Sequence, residues 1–549
     1  MRHLLPLLLF VPVAAGARTI VPGPDSALHG YVLGRYASAT NQLAEAARLF
    51  DAARAQSPGS ATLTRRAFDL ALASGDRQRS FALARQLRGS EADTPEVAVV
   101  ALADAVLQKD WLAADSARAG LARAGYGTVL APIAEAWTLF GKGRTATALA
   151  RLDPALHSGF TRSYVAEQRA HMLAATGQWR AAASAYHEQR LTAGPGISFL
   201  KLGEADALAM AGDRDAALAL LADDEPGLAE ARARLAAGKR IGALATTPEA
   251  GLAWAAARLA NDLAREQATP LALLFARTAT FLAPGVPANW IICGDILARG
   301  GQPDDALAAY ARVPAGDALA PLAAARRTDT LEAAGRDKEA GALLRTAAEA
   351  PDAAPLAWQR LGDWHRRGDR FGEAIAAYGE AIRRAGSDAG WELYFLRGSA
   401  AEQKGDWPAA EADLRAALQR APDEPVALNY LGYAMLDRGQ GVAEASAMIA
   451  RAAKQRPADG GIIDSLGWSQ YRAGAYDRAV ASLETAVALE PLDPTITDHL
   501  GDAYWRSGRR IEARFRWRAA LDLDPDAKLK PVLQAKLDYG LDAARAMVK

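Results

Sequence analysis

A single cysteine, Cys293, serves a chain of 549 residues. No disulfide can form within the chain, and no cysteine cluster can hold a metal. A net charge of one sign is also absent, since Lys+Arg and Asp+Glu number 64 each. Without a cationic excess, nucleic-acid binding driven by counterion release is excluded for the molecule as a whole. β-Branched residues are sparse and no stretch alternates apolar with polar residues, so half-buried strands are not expected. Long apolar runs are missing too. The most apolar internal stretch, Leu271–Leu282, is short and carries Arg277, too little to span a bilayer.

Catalytic spacings are equally scarce. The segment "FGKGRTA" has glycines and a lysine but lacks the spacer and hydroxyl residue of a phosphate-binding loop, so it reads as an inter-helix turn. No nucleophile elbow or dinucleotide fingerprint occurs. Seven histidines are scattered along the chain without an i, i+4 pair. His171 and His187 could approach across one helical pair, but a zinc site needs three or four converging ligands. The reading is a protein without cofactor or metal, and not an enzyme.

What is present is alanine and leucine, within a 50% hydrophobic composition that favours helix throughout. At the N-terminus, Arg2 and His3 precede an apolar run from Leu4 to Val13, followed by Ala15-Gly16-Ala17. That order predicts a secretory signal over residues 1–17 and an exported, periplasmic chain. No cysteine follows the run, so the mature chain is expected to carry neither a lipid anchor nor a transmembrane helix. Beyond it, helical stretches of roughly 12–15 residues alternate with turns such as "AGDRD" and "KGDWP".

A Leu-Gly pair recurs at Gly362, Gly398, Gly432, Gly467 and Gly501, spaced by 36, 34, 35 and 34 residues. After Gly501 come Tyr504, Gly508, Ala513, Trp517, Ala520 and Pro525, and comparable small and large residues follow the other glycines. This resembles the tetratricopeptide repeat (TPR), a helix–turn–helix unit of 34 residues. Glycine and alanine recur where two antiparallel helices approach closely, and proline stops the second helix. The pattern is fainter upstream: Trp290, Gly294, Ala306 and Tyr310 make one unit with Cys293 in the leucine slot. Gly34, Ala46, Phe50, Ala53 and Pro58 make another. The expected fold is all-α, a right-handed superhelical solenoid. Residues 18–270 form an irregular region, 271–354 intermediate repeats, 355–525 five regular repeats and 526–549 a polar capping helix.

In such an array the first helix of each pair lines the concave face, through positions three or four apart. Counting from each Leu-Gly, the inward positions include Asp363, Arg366, Phe395, Asn429, Tyr433, Asp464, Trp468, Tyr471, Asp498, Asp502, Trp505 and Arg506. Tyr433, Trp468 and Trp505 are not required by the repeat skeleton, and aromatic and arginine groups beside carboxylates suit capture of a peptide segment. Some repeats of this kind clamp a peptide carboxylate with Lys, Asn and Arg; here the matching places are largely Asp and aromatic, which argues against that clamp. The block from "LNYLGYAMLDRG" to "FRWRAAL" is similar to exported bacterial TPR adaptors of carboxyl-terminal processing proteases. The resemblance implies an adaptor holding a processing protease and its target, such as a peptidoglycan hydrolase. Those adaptors carry a lipid-anchoring cysteine that this chain lacks. A scaffold for envelope polysaccharide export is the alternative on the same architecture.

Overall fold

A computed structural model describes residues 27–40, 42–192, 198–222, 226–266, 269–317, 319–351 and 353–547. The expected signal segment 1–17 lies outside them. Among the described residues every regular element is a helix. The chain divides into two compact units, residues 1–340 and 341–549.

The first unit begins as a train of helix pairs. Ala27–Ala39 packs on Leu43–Gln56, where Phe50 is buried and lies so close to Gly34 that a Cβ there would meet its ring at 2.9 Å. Later, Pro287–Arg299 packs on Pro303–Tyr310 with the same logic. Gly294 leaves room for Tyr310, and Cys293 fills its leucine slot as a buried, free thiol whose pKa burial pushes up.

Between these pairs the unit departs from a simple train. The hairpin Pro248–Arg265 and Thr269–Leu282 packs against helices Ala61–Ser74, Pro95–Gln108, Gly127–Gly141 and Gly159–Ala175. Each of these is the first helix of its pair, so the hairpin fills the face that the pairs turn inward. Residues 270 and 271, on either side of the expected boundary, lie in the first turn of the hairpin's second helix. The hairpin explains why Val97 through Val106 are buried without interruption: that helix has a partner on every side. It also explains the apolar stretch around Leu271–Leu282, which is core. Arg277, buried in that stretch, donates from Nη2 to the Ala73 carbonyl at 2.7 Å. It therefore satisfies the C-terminal end of Ala61–Ser74 with a cation, where the helix dipole favours one.

Close approach sets the hairpin's seat. A Cβ on Gly251 would lie 2.0 Å from the indole of Trp137, which is itself fully buried and donates to Gln168 Oε1 at 2.8 Å. Glu167, wholly buried on Gly159–Ala175, accepts from Trp254 and Arg258 of the hairpin. The Tyr164 hydroxyl donates to Asp262 at 2.5 Å. His171 and His187 do not converge: His171 is buried against Tyr186 and the Ala245 amide, whereas His187 pairs with Glu204. Burial holds the His171 imidazole neutral, with its pKa lowered to about 3.

Among its described residues the second unit holds five helix pairs in order. They are Pro355–Arg367 with Phe371–Ala385, Trp391–Lys404 with Trp407–Arg420, Pro425–Asp437 with Val442–Gln455, Gly460–Arg472 with Tyr476–Leu489, and Pro494–Arg506 with Arg510–Asp522. The Leu-Gly period has one cause throughout. At Gly467 and Gly501 an added Cβ would sit 2.5 Å from Leu483 and Trp517, the large residues of the second helices. Asp493 caps the fifth pair, accepting from the Thr495 and Ile496 amides at 2.7 and 3.0 Å. Two further helices follow, Leu529–Tyr539 and Leu541–Met547. They are amphipathic and not simply polar: Leu533, Leu537 and Leu541, four residues apart, are all buried.

Candidate protein-binding face

The inner residues of the second unit fall into two groups according to what touches them. In the first three pairs they remain partly open. Asp363 is half-buried and accepts from the Tyr378 hydroxyl at 2.7 Å, with Arg366 beside the same phenol. Phe395 meets Trp391 and Tyr430 edge-to-face, with ring centroids 5.9 and 5.3 Å apart. Asn429 is half-buried, with no hydrogen-bond partner on its Oδ1. Tyr433 is half-buried, and its phenol pKa is pushed up to about 12 by burial first and then by the charges of Asp464 and Asp437. Phe395, Tyr430 and Tyr433 thus continue the aromatic surface from pair two to pair three. Tyr430 and Trp391, not singled out by residue spacing, belong to it through ring contacts alone.

From the fourth pair onward the inner face is filled. Trp468 stacks on Tyr471 at 4.7 Å and on His499 at 4.1 Å, and Tyr471 is buried. Asp464 is buried and pairs with His499 Nδ1 at 2.9 Å. Burial pulls His499 down, but the charges of Asp464, Asp498 and Asp502 overcome it and leave its pKa raised. Asp498 and Asp502 are buried as well, and Lys536 of the helix Leu529–Tyr539 lies between them. Its Nζ is 2.7 Å from both Asp498 oxygens and 2.8 Å from Asp502 Oδ1, which also accepts from Trp517 Nε1 at 3.1 Å. Trp505 and Arg506 are met by the following turn. Gly540 packs so tightly on the Trp505 ring that a Cβ would be 2.7 Å away, and Asp542 pairs with Arg506 at 2.7 Å. Asp498, Asp502, Trp505 and Arg506 are therefore occupied by the chain's own C-terminal helices. The four-residue leucine spacing of the tail was the available sign that this segment packs inward.

Among the described residues no group of three or more His, Cys, Asp or Glu side chains could hold a metal ion. No described helix is long and apolar enough to cross a membrane. On the outer side, Ile511 and Phe515 are exposed and Arg514 donates to the Leu537 carbonyl at 2.6 Å, so part of the arginine-rich second helix also anchors the tail.

The architecture is that of an all-α helical-repeat array with a chemically mixed inner face. The tetratricopeptide repeat family matches residues 360–425, 397–460 and 465–528, the repeats of the second unit. A TPR repeat-containing protein of Pseudomonas aeruginosa is 36% identical over 187 residues, 34% of this chain and 31% of that protein. The chain thus matches about a third of that relative's length. Among solved structures, MamA from Desulfovibrio magneticus RS-1 is 19% identical, over 31% of this chain and 94% of its own, at TM-score 0.28. YrrB, described as a TPR protein with an unusual peptide-binding site, is 19% identical over 35% and 97%, at TM-score 0.29.

Proposed function

We propose that this protein is a non-enzymatic scaffold that captures a protein segment on the inner face of its second unit. The observation that carries the reading is the half-buried aromatic surface of Phe395, Tyr430 and Tyr433, residues that the repeat skeleton does not require. The same repeat positions hold Asn429 in the third pair and the half-buried ionic groups Asp363 and Arg366 in the first. Partly exposed aromatic rings among hydrogen-bonding groups are the composition of protein-binding hot spots. The likeness of its C-terminal block to exported adaptors, together with the leader-like residues 1–17, supports a place in the bacterial cell envelope. There the scaffold delivers a substrate, such as a peptidoglycan hydrolase, to a carboxyl-terminal processing protease.

The test is capture from envelope extract by the full-length protein, with partners identified by mass spectrometry. Recovery of a processing protease should fall at least about tenfold in Phe395→Ala/Tyr433→Ala, two positions remote from the C-terminal helices. Equal recovery of every specific partner by a normally folded variant would remove the inner face as the binding surface.

A further inference from the structure

A terminal repeat needs an apolar cover, and Leu533, Leu537 and Leu541 supply one. Stacking that cover on the second helix, Arg510–Asp522, does not call for an ammonium group buried against the first. Yet Lys536 is only 5% exposed and sits between two carboxylates that the repeat period turns inward. A buried ion pair seldom adds stability over apolar residues of similar volume, so its retention points to selectivity. Asp464 and His499 extend the same pocket into the fourth pair, where Trp468 stacks on the imidazole. The tail also engages Trp505 and Arg506, so it contacts all four inward residues of the fifth pair. It joins the array through residues 523–528, where Pro525 alone is buried.

We propose that the inner face of the fourth and fifth repeats is a lysine-recognising site whose resident ligand is the chain's own C-terminal helix pair. A partner segment carrying a lysine beside leucines at four-residue spacing would use the same carboxylates, displacing the tail as it extends along the inner face. The proposal rests on the reading of that face as protein-binding and adds its regulation: the tail is a built-in competitor. Two carboxylates converging on one ammonium set the preference for a cationic side chain, and the leucine row sets the preference for a helix.

The probe is a fluorescent peptide of residues 526–547, added to the full-length protein and read by anisotropy. Against Lys536→Glu, which places a third carboxylate in the pocket and releases the tail, the peptide should bind at least tenfold more tightly than against the wild type. The same peptide with Lys536→Met should lose that gain. Hydrogen exchange should rise over residues 529–547 and stay unchanged over the first three repeats. If Lys536→Glu also loosens residues 494–522, Asp542→Ala, which removes the tail's contacts to Arg506 and Trp505 and leaves the buried carboxylates paired, should give the same pattern at smaller amplitude. Unchanged exchange over the tail in both variants, or a freed tail with no binding in trans, would overturn the proposal and leave the tail a permanent cover. Because the probe is the chain's own segment, this result is independent of partner capture. Capture can fail while the peptide binds, and the peptide can fail while capture succeeds.

Discussion

Replacing Arg258 with methionine tests whether the hairpin of residues 248–282 is locked into the first unit by its polar seat as well as by its apolar surface. Glu167 is wholly buried and receives the Arg258 guanidinium and the Trp254 indole N–H; the guanidinium also lies 4.0 Å over the Tyr164 ring. Methionine keeps most of the side-chain bulk but strands the carboxylate. Removing one partner of a buried ion pair destabilises by about 3–5 kcal/mol. The Arg258 side chain is 22% exposed, so water can replace part of the lost contact and the lower end, about 3 kcal/mol, applies. In the double variant Glu167→Gln/Arg258→Met no buried charge remains, and it should be more stable than Arg258→Met by about 2 kcal/mol. The assay is native-state hydrogen exchange followed by mass spectrometry. The single variant should open the hairpin amides about 150-fold more often than the wild type. Burial raises the pKa of Glu167, and losing Arg258 raises it further, so part of the defect should recover as pH falls. Exchange within about threefold of the wild type, or a double variant no slower than the single one, would refute the reasoning.

Two further outcomes are expected. The fifth repeat with its C-terminal helices should become more stable to unfolding as pH falls from 8 to 5.5. Burial, then the Asp502 charge, raise Asp498 from 3.8 to about 6 against the opposing pull of Lys536, and His499 is raised beside Asp464. With both folded pKa values raised, the folded state holds extra protons, so stability is full below the unfolded pKa and is lost as pH rises through the folded one. Asp498 alone should change the unfolding constant about fourfold, read as intrinsic-rate-corrected, denaturant-dependent exchange over residues 494–547, with Arg506 and Asp542 as the neighbouring charges. A flat profile would contradict the pairing. Separately, deletion of residues 1–17 should leave the protein in the cytoplasm of a host that exports the intact chain; unaltered fractionation would cancel the export reading.

How legible these features were depended on how far their causes reach along the chain. The five regular pairs could be read because each Leu-Gly answers a large residue about sixteen positions away, Trp517 for Gly501 and Leu483 for Gly467. Such contacts repeat with the sequence. The row counted from each Leu-Gly rests on helical spacing within one element. What covers that row was not legible. Gly251 meets Trp137, and Arg258 meets Glu167, across roughly a hundred residues, without any repeat to announce them. The available hints were chemical. A first helix apolar on every side, as in "VAVVALADAV", must be covered on every side. A tail with leucines four apart must bury them.

The chemistry of each cover indicates its purpose. In the first unit the inner face is apolar and the hairpin over it is apolar, with Phe275, Ala276 and Ala279 buried in the common core. Exposing that seat would open a large hydrophobic surface and strand Glu167, so the cover is constitutive. In the second unit the corresponding face carries carboxylates, an imidazole and stacked rings, and the tail meets it with Lys536, a short leucine row and the Gly540 and Asp542 contacts to Trp505 and Arg506. Both sides of that contact can be solvated when parted, since charged groups regain water that leucines do not. The free-energy gap between docked and undocked states is therefore smaller there, and it depends on charge. A contact of that kind can be exchanged for an equivalent one from a partner, while the hairpin's cannot. Partner capture by this protein should accordingly be sensitive to substitutions at Asp498, Asp502 and Lys536, and insensitive to the first unit's inner surface as long as that unit stays folded.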